Sequence, residues 1–168
     1  MAANEILQEP ALDTLHLHRI FNAPRELVWQ AWTTPALLMR WHGPKDFTAP
    51  VCHVDLRMGG ITHLCMRSPE GQDFWSKGTY REIDAPHRMV VTDSFSDEQG
   101  NIISAANLGM GHDWPLELLV TLTFEEKDGK THFHLQHEGL PTGEMLDLCR
   151  AGWSESLDKL ENLLQQLQ

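Results

Sequence analysis

The side chains best placed for chemistry in this sequence are Asp93 and His137. Asp93 follows Val91 at an alternate position, and His137 follows Phe133 and Leu135 in the same way. Because alternate residues of a strand point to one face, this pattern predicts that both polar groups point inward. A buried aspartate–histidine pair can serve as acid and base. A shift of either strand end by a few residues would instead leave both side chains in water.

Tryptophan is unusually frequent, with six in 168 residues. Trp29 and Trp32 share the apolar side of a helix, which favours a place in the core. Trp153 on the last helix, and Trp41 and Trp75 near predicted rims, are better candidates for a pocket, since pockets are mostly apolar and aromatic. The residues predicted to line or gate a ligand pocket are Trp41, Trp75, Tyr80, Asp93, Trp114, His137 and Trp153.

Other reactive residues lack the partners that catalysis or metal binding needs. His16 with His18, and His132 with His134, have the spacing of a chelating pair, but both pairs alternate with apolar residues and should face solvent. Cys52 and the histidine after it point to opposite faces of a strand and cannot act as nucleophile and base. The sequence contains no nucleophile-elbow motif of hydrolases, no phosphate-binding loop for nucleotides and no glycine motif for dinucleotide binding. We therefore predict no catalytic residue, no metal and no cofactor.

The composition narrows the class of partner and compartment. The formal net charge is −11, which argues against nucleic acids and anionic membranes, because both attract basic surfaces. The three cysteines show no paired spacing, so we expect reduced thiols. No segment has the pattern of a signal peptide or of a membrane span, and the cytoplasm is therefore the expected location.

The elements that would position these residues are a first strand, two short helices, six further strands and a long final helix. Period-two alternation and turn residues between the runs define the strands. The predicted strands cover residues 12–21, 51–56, 61–67, 74–83, 89–95, 117–125 and 131–137. The two helices lie between residues 24 and 41, with Pro24 and Pro35 at their starts. Residues 1–10 are expected to be a frayed lead-in to a single domain over 11–168.

The final helix has the longest regular apolar pattern in the chain, with Thr142 as its expected N-cap. Gly152 interrupts the pattern, and lack of room beside the helix is one reason for a glycine there. Upstream, residues 96–115 have no clear period. Within them, 109–114 could form a lid over a pocket or a plain surface loop on which Trp114 packs locally.

Five motifs in this order resemble the START-like (SRPBCC) superfamily, in the branch of homologues of the activator of a heat-shock chaperone's ATPase. They are residues 21–29 (FNAPRELVW), 41–44 (WHGP), 55–60 (DLRMGG), 78–83 (GTYREI) and 152–160 (GWSESLDKL). The resemblance implies an α+β helix-grip fold, with a curved antiparallel sheet around the C-terminal helix and a hydrophobic cavity between them. His42 and Asp93 stand where the family often has aromatic residues, which places polar groups near the implied cavity mouth.

Three functions follow from these patterns. The leading hypothesis is binding of a small, mostly apolar or amphipathic molecule between the sheet and the last helix, without catalysis. The resemblance also implies a second function, regulation of a heat-shock chaperone ATPase. A third is a cyclase or hydratase that uses Asp93 and His137 as an acid–base pair. The sequence leaves open whether the protein is a monomer or a homodimer.

Overall fold

A single antiparallel sheet and three α-helices make up the fold. The computed structural model describes residues 11–111 and 114–168, so the predicted lead-in at residues 1–10 lies outside the described part. The strands are β1 (Leu12–Phe21), β2 (Thr48–Val54), β3 (Ile61–Arg67), β4 (Asp73–Asp84), β5 (Arg88–Ser96), β6 (Leu118–Lys127) and β7 (Lys130–Pro141). The helices are α1 (Arg25–Thr33), α2 (Pro35–Trp41) and α3 (Glu144–Gln166). This content confirms the predicted α+β class.

The seven strands form one sheet in the order β1-β7-β6-β5-β4-β3-β2, with every neighbouring pair antiparallel. Consecutive strands from β2 to β7 are therefore neighbours, and only β1 joins out of sequence, beside β7. The two helices α1 and α2 occupy the connection from β1 to β2, which must cross from one edge of the sheet to the other.

The start of α3 differs from the prediction. The N-cap is Gly143, whose φ of 82° lies in the region that favours glycine, and not Thr142. The N–H of Thr142 donates instead to the carbonyl of Ala11 at 3.2 Å, directly after β7 ends at Pro141. Thr142 is therefore held beside the residue that precedes β1, and the helix begins one residue later than the capping pattern predicted.

The Gly59–Gly60 pair makes a tight bend between β2 and β3. A Cβ on Gly60 would lie 2.0 Å from the carbonyl oxygen of Asp55, so a larger residue does not fit. The bend is tied to β4, because Gly59 donates to the carbonyl of Tyr80 and Tyr80 donates back to that of Gly60. Arg57 and Asp55 form an exposed ion pair at 2.7 Å beside the bend.

The interior between α3 and the sheet is filled at one end of the helix only. Leu157, Leu160 and Leu164 are fully or almost fully buried and belong to the main core cluster, together with Phe133 and Leu135 of β7. Residues of the N-terminal half of α3 line an open space instead. Within the described ranges, no helix combines the length and the apolar character needed to cross a bilayer.

Candidate ligand-binding pocket

A pocket of about 500 Å³ lies between the sheet and the N-terminal half of α3. Its walls are mostly apolar. The strands contribute Leu64, Met66, Phe74, Tyr80, Met89, Val91, Phe95, Val120 and Leu122, and α3 contributes Met145, Leu148, Cys149, Gly152, Trp153 and Ser156. Polar side chains, Asp93, His137 and His42 among them, interrupt this lining.

Asp93, His137 and Trp153 form a chain of polar contacts on the pocket wall. The indole Nε1–H of Trp153 donates to Nδ1 of His137 at 3.1 Å. Because Nδ1 accepts, the ring proton of a neutral His137 must be on Nε2. That Nε2 lies 3.1 Å from Oδ2 of Asp93, at ion-pair distance but off the axis of a good hydrogen bond. His137 is buried, whereas 37% of the Asp93 side chain is exposed.

The backbone of β4 and β5 explains why Asp93 faces inward. Met89, Val91, Asp93 and Phe95 all border the pocket, so the alternation predicted for this strand holds. Beside them, Gly78 allows the strands to approach closely, since a Cβ there would lie 2.3 Å from the carbonyl oxygen of Thr92. A glycine inside a strand is typical of such a close approach.

His42 is a further polar group of the pocket that the sequence marked only as a departure from its family pattern. Its ring centroid lies 6.2 Å from that of Trp153 in an edge-on arrangement. Among the described residues, its Nδ1 has no hydrogen-bond partner. Burial lowers the pKa of His42 to about 4, the nearby Lys159 lowers it as well, and the Asp93 carboxylate opposes both effects. The imidazole is therefore neutral at pH 7.

Lys159 secures the segment that carries His42. Its ammonium group donates to the backbone carbonyls of Gly43, Pro44 and Phe47 at 3.0–3.2 Å. The three carbonyls belong to the connection between α2 and β2, so this one side chain of α3 holds that connection against the helix. Burial lowers the pKa of Lys159.

Flexible and aromatic side chains complete the lining of the pocket. Met110, Met145 and Leu148 belong to it, and Leu148 is exposed. Trp114 packs edge-on against Phe95 with ring centroids 5.5 Å apart. The predicted lid over 109–114 includes residues 112 and 113, which lie outside the described part of the chain.

Two of the seven residues predicted for the pocket lie elsewhere. Trp41 is completely buried in the core, where its Nε1 donates to the carbonyl of Ala31 at 3.0 Å. Trp75 alternates with pocket-facing Phe74 and therefore lies on the other face of the sheet, stacked on His63 at 4.8 Å. Conversely Trp32, expected in the core, also borders the pocket.

The remaining five predicted residues, Tyr80, Asp93, Trp114, His137 and Trp153, border the same pocket. Gly152 borders it too, but lack of room is not the reason for this glycine. An added Cβ would meet only Pro44, at an ordinary contact distance of 3.5 Å.

The histidine pairs lie on the outer face of the sheet, where the alternation predicted them. His16 Nδ1 and His134 Nε2 are 3.3 Å apart, and the rings of His18 and His132 are tilted at 5.8 Å. A shallow depression of about 680 Å³ covers part of this face. Although it is larger than the inner pocket, its lining is more polar and more open, so it encloses an apolar molecule less well. Among the described residues, no three potential ligands are grouped to hold a metal ion.

The pocket does not contain an activated thiol. Burial raises the pKa of Cys149, which borders the pocket, to about 11, and the Asp93 carboxylate adds to the effect. Burial alone raises the pKa of Cys52 to about 11. Both groups are protonated thiols at neutral pH and therefore poor nucleophiles.

Solved structures with the same fold come from several bacteria. Protein CV1439 of Chromobacterium violaceum is 28% identical, with a TM-score of 0.75 over 90% of this chain and 96% of that one. Protein Ms6760 of Mycobacterium smegmatis is 26% identical, with a TM-score of 0.72 over 94% of each chain. The AHSA1 protein of Silicibacter pomeroyi is 24% identical, with a TM-score of 0.75 over 93% of this chain and all of that one, and supports the fold alone. No curated protein matches the chain.

The family model for activator of Hsp90 ATPase homolog 1-like proteins matches residues 22–165. This range contains nearly all of the five motifs from which the START-like branch was predicted, and the match confirms that branch. The neighbouring structures confirm the helix-grip fold that it implied. The chain therefore belongs to the family of activator of Hsp90 ATPase homolog 1-like proteins.

Proposed function

We propose that this protein binds a small, mostly apolar molecule in the pocket between the sheet and α3. The observation that supports it is a space of about 500 Å³ with apolar walls and a few converging polar groups. Ligand pockets span about 300–1,000 Å³ and have this kind of lining. A ligand that fills the space removes its own apolar surface from water, at about 0.8 kcal/mol for each buried CH₂ group.

The lining also supports variation in ligand shape. Met66, Met89, Met110 and Met145 border the pocket. Methionine side chains are unbranched and polarisable, so they adapt to ligands of irregular shape. The rigid aromatic rings of Trp32 and Trp153 add flat surfaces to the same lining.

Binding of Nile red, an uncharged dye whose emission rises in apolar surroundings, tests the proposal. The wild-type protein should enhance the emission with a saturable, one-site isotherm. Gly152→Leu should abolish this binding, because its side chain extends from the helix into the pocket. Gly152→Ala is the matched control: its Cβ makes only an ordinary contact with Pro44, so binding should persist.

Each outcome has a definite meaning. Saturable binding that Gly152→Leu removes and Gly152→Ala retains supports the inner pocket as the site. Binding that survives Gly152→Leu in a folded protein would place the dye elsewhere, for example on the outer face of the sheet. Absence of binding by the wild-type protein to Nile red and to a library of apolar compounds in a thermal-shift screen would refute the function.

Stimulation of a heat-shock chaperone ATPase is a second candidate function, favoured by the description of the matching family. Its test is the steady-state ATPase rate of the purified chaperone with and without this protein. An increase that Gly152→Leu leaves intact would support a surface-mediated role independent of the pocket. An unchanged rate at saturating protein would count against it.

A further inference from the structure

The charge balance of the pocket bears on what its ligand can be. Among the described lining residues, Asp93 is the only carboxylate and Lys77 the only ammonium. Lys77 alternates with pocket-facing Ser76 on β4, and its Nζ donates to the carbonyl of Gly100 at 3.0 Å. This contact holds the ammonium group at the turn that follows β5, whereas 37% of the Asp93 side chain remains accessible.

His137 lies beside the Asp93 carboxylate without adding a countercharge in this arrangement. Its Nδ1 accepts from Trp153, so a single proton on Nε2 is consistent with this arrangement, and the ring is neutral. Its Nε2 lies 3.1 Å from one carboxylate oxygen, Oδ2, but off the axis of a good hydrogen bond. A carboxylate has about four lone-pair directions. Asp93 therefore retains capacity to accept a hydrogen bond from a ligand.

His42 offers the complementary group. A neutral imidazole has one donor and one acceptor, and its buried Nδ1 has no partner among the described residues. His42 and His137 both lie about 6 Å from the indole of Trp153. The positive charge of Lys159 lowers the pKa of His42 and, by the same repulsion, disfavours a ligand cation beside His42.

From these contacts we infer that the pocket selects an amphiphile with an uncharged, hydroxyl-bearing head and rejects the corresponding carboxylate. The hydroxyl donates a hydrogen bond to Asp93 and forms a second hydrogen bond with His42. A hydroxyl suits this position because it can donate and accept at once. A carboxylate head would face the Asp93 charge in apolar surroundings, where like charges cost several kcal/mol. This inference rests on the proposed function and specifies the ligand of the same site.

Three amphiphiles with the same tail test the inference: 1-decanol, decylamine and decanoate. The alcohol is kept below its solubility limit and the two ions below their micellar concentrations, at about pH 8, where decanoate is ionised. Displacement of Nile red gives the three dissociation constants. We expect 1-decanol to bind at least about tenfold more tightly than decanoate, and at least as tightly as decylamine.

Variants of the polar groups separate a role in selection from a structural role. Asp93→Asn keeps the shape and removes the charge, so decanoate should gain about tenfold in affinity relative to 1-decanol. Asp128→Asn makes the same change of net charge in the exposed turn between β6 and β7 and should leave the ratio unchanged. His42→Phe should weaken 1-decanol and spare Nile red. Loss of folding would weaken every ligand equally and is monitored by circular dichroism.

The outcomes distinguish this inference from the proposed function. If Nile red binds but 1-decanol and decanoate have equal dissociation constants, the inference fails and the binding function stands. Decylamine binding more tightly than 1-decanol would overturn the inference in favour of a cation site at Asp93. Decanoate binding more tightly, and lost in Lys77→Met, would overturn it in favour of an anion site. If Nile red itself does not bind, the function fails.

Discussion

Two glycine-to-alanine substitutions should change stability in opposite directions, although each adds one methyl group beside the same pocket. Gly78 lies in β4, where a Cβ would be 2.3 Å from the carbonyl oxygen of Thr92 and 2.9 Å from atoms of Thr62 and Val91. Gly152 lies in α3, where the Cβ would meet only Pro44 at 3.5 Å. The difference is one of available space.

The magnitudes follow from these distances. At Gly78 the clashing oxygen belongs to the backbone of a paired strand, which cannot rotate away, so we expect the upper part of the overpacking range, about 3 kcal/mol of destabilisation. At Gly152 there is no clash, and alanine recovers up to about 1 kcal/mol of helix propensity. For a chain of this size, each kcal/mol corresponds to about 2–4 °C in melting temperature.

Urea denaturation followed by circular dichroism measures both changes. Gly78→Ala should lower the midpoint and Gly152→Ala should raise it, with similar slopes for the two variants and the wild type. The reasoning is refuted if Gly78→Ala is as stable as the wild type, because β4 and β5 would then have space for a methyl group at this position. It is equally refuted if Gly152→Ala is strongly destabilising.

Three further predictions concern ionisable groups of the pocket region. The pKa of His42 is lowered to about 4, so as pH falls the unfolded chain takes up a proton at this residue before the folded protein does. The free energy of unfolding should therefore decrease by up to about 3 kcal/mol between pH 6.5 and pH 4. Urea titrations of His42→Phe should show a smaller decrease. Lys159→Met should lower the free energy of unfolding by about 1–3 kcal/mol, because three backbone carbonyls lose their hydrogen-bond donor. An NMR titration of this variant should show a higher pKa for His42, because the positive charge that lowers it is removed. Cys149, with a pKa of about 11, should react with iodoacetamide at pH 8 about a hundredfold more slowly than in the unfolded chain, measured by mass spectrometry; an equal rate would contradict its burial.

Most of the architecture could be predicted because it depends on local patterns. Period-two alternation placed all seven strands within a few residues of their observed ends, and paired prolines placed α1 and α2. An error occurred where a contact between distant parts of the chain replaces a local one. Thr142 has the chemistry of an N-cap, but its N–H pairs with Ala11, the residue that precedes β1, and no local pattern contains that contact.

The candidate site divides in the same way. Asp93 and His137 could be predicted because strand alternation determines which face they occupy. Trp41 could not be separated from true pocket residues, since aromatic type alone does not distinguish core from pocket and its location depends on how α2 packs on α1. The face of Trp75, by contrast, follows from its alternation with Phe74 in β4, a signal that the prediction from aromatic type did not use. His42 lacks any periodic signal, because it follows the last residue of a short helix.

The pocket itself results from the sizes of residues along α3. On the half of the helix that borders the pocket, Cys149, Gly152 and Ser156 recur at steps of three and four, and all three are small. One turn further on, Leu157, Leu160 and Leu164 repeat the same steps and are buried in the core. The same helical period thus packs one end solidly and leaves the other open, because large side chains fill the gap to the sheet and small ones do not. Pocket volume in this protein should therefore be tunable at the three small positions without disturbing the leucine end that holds α3 to the sheet.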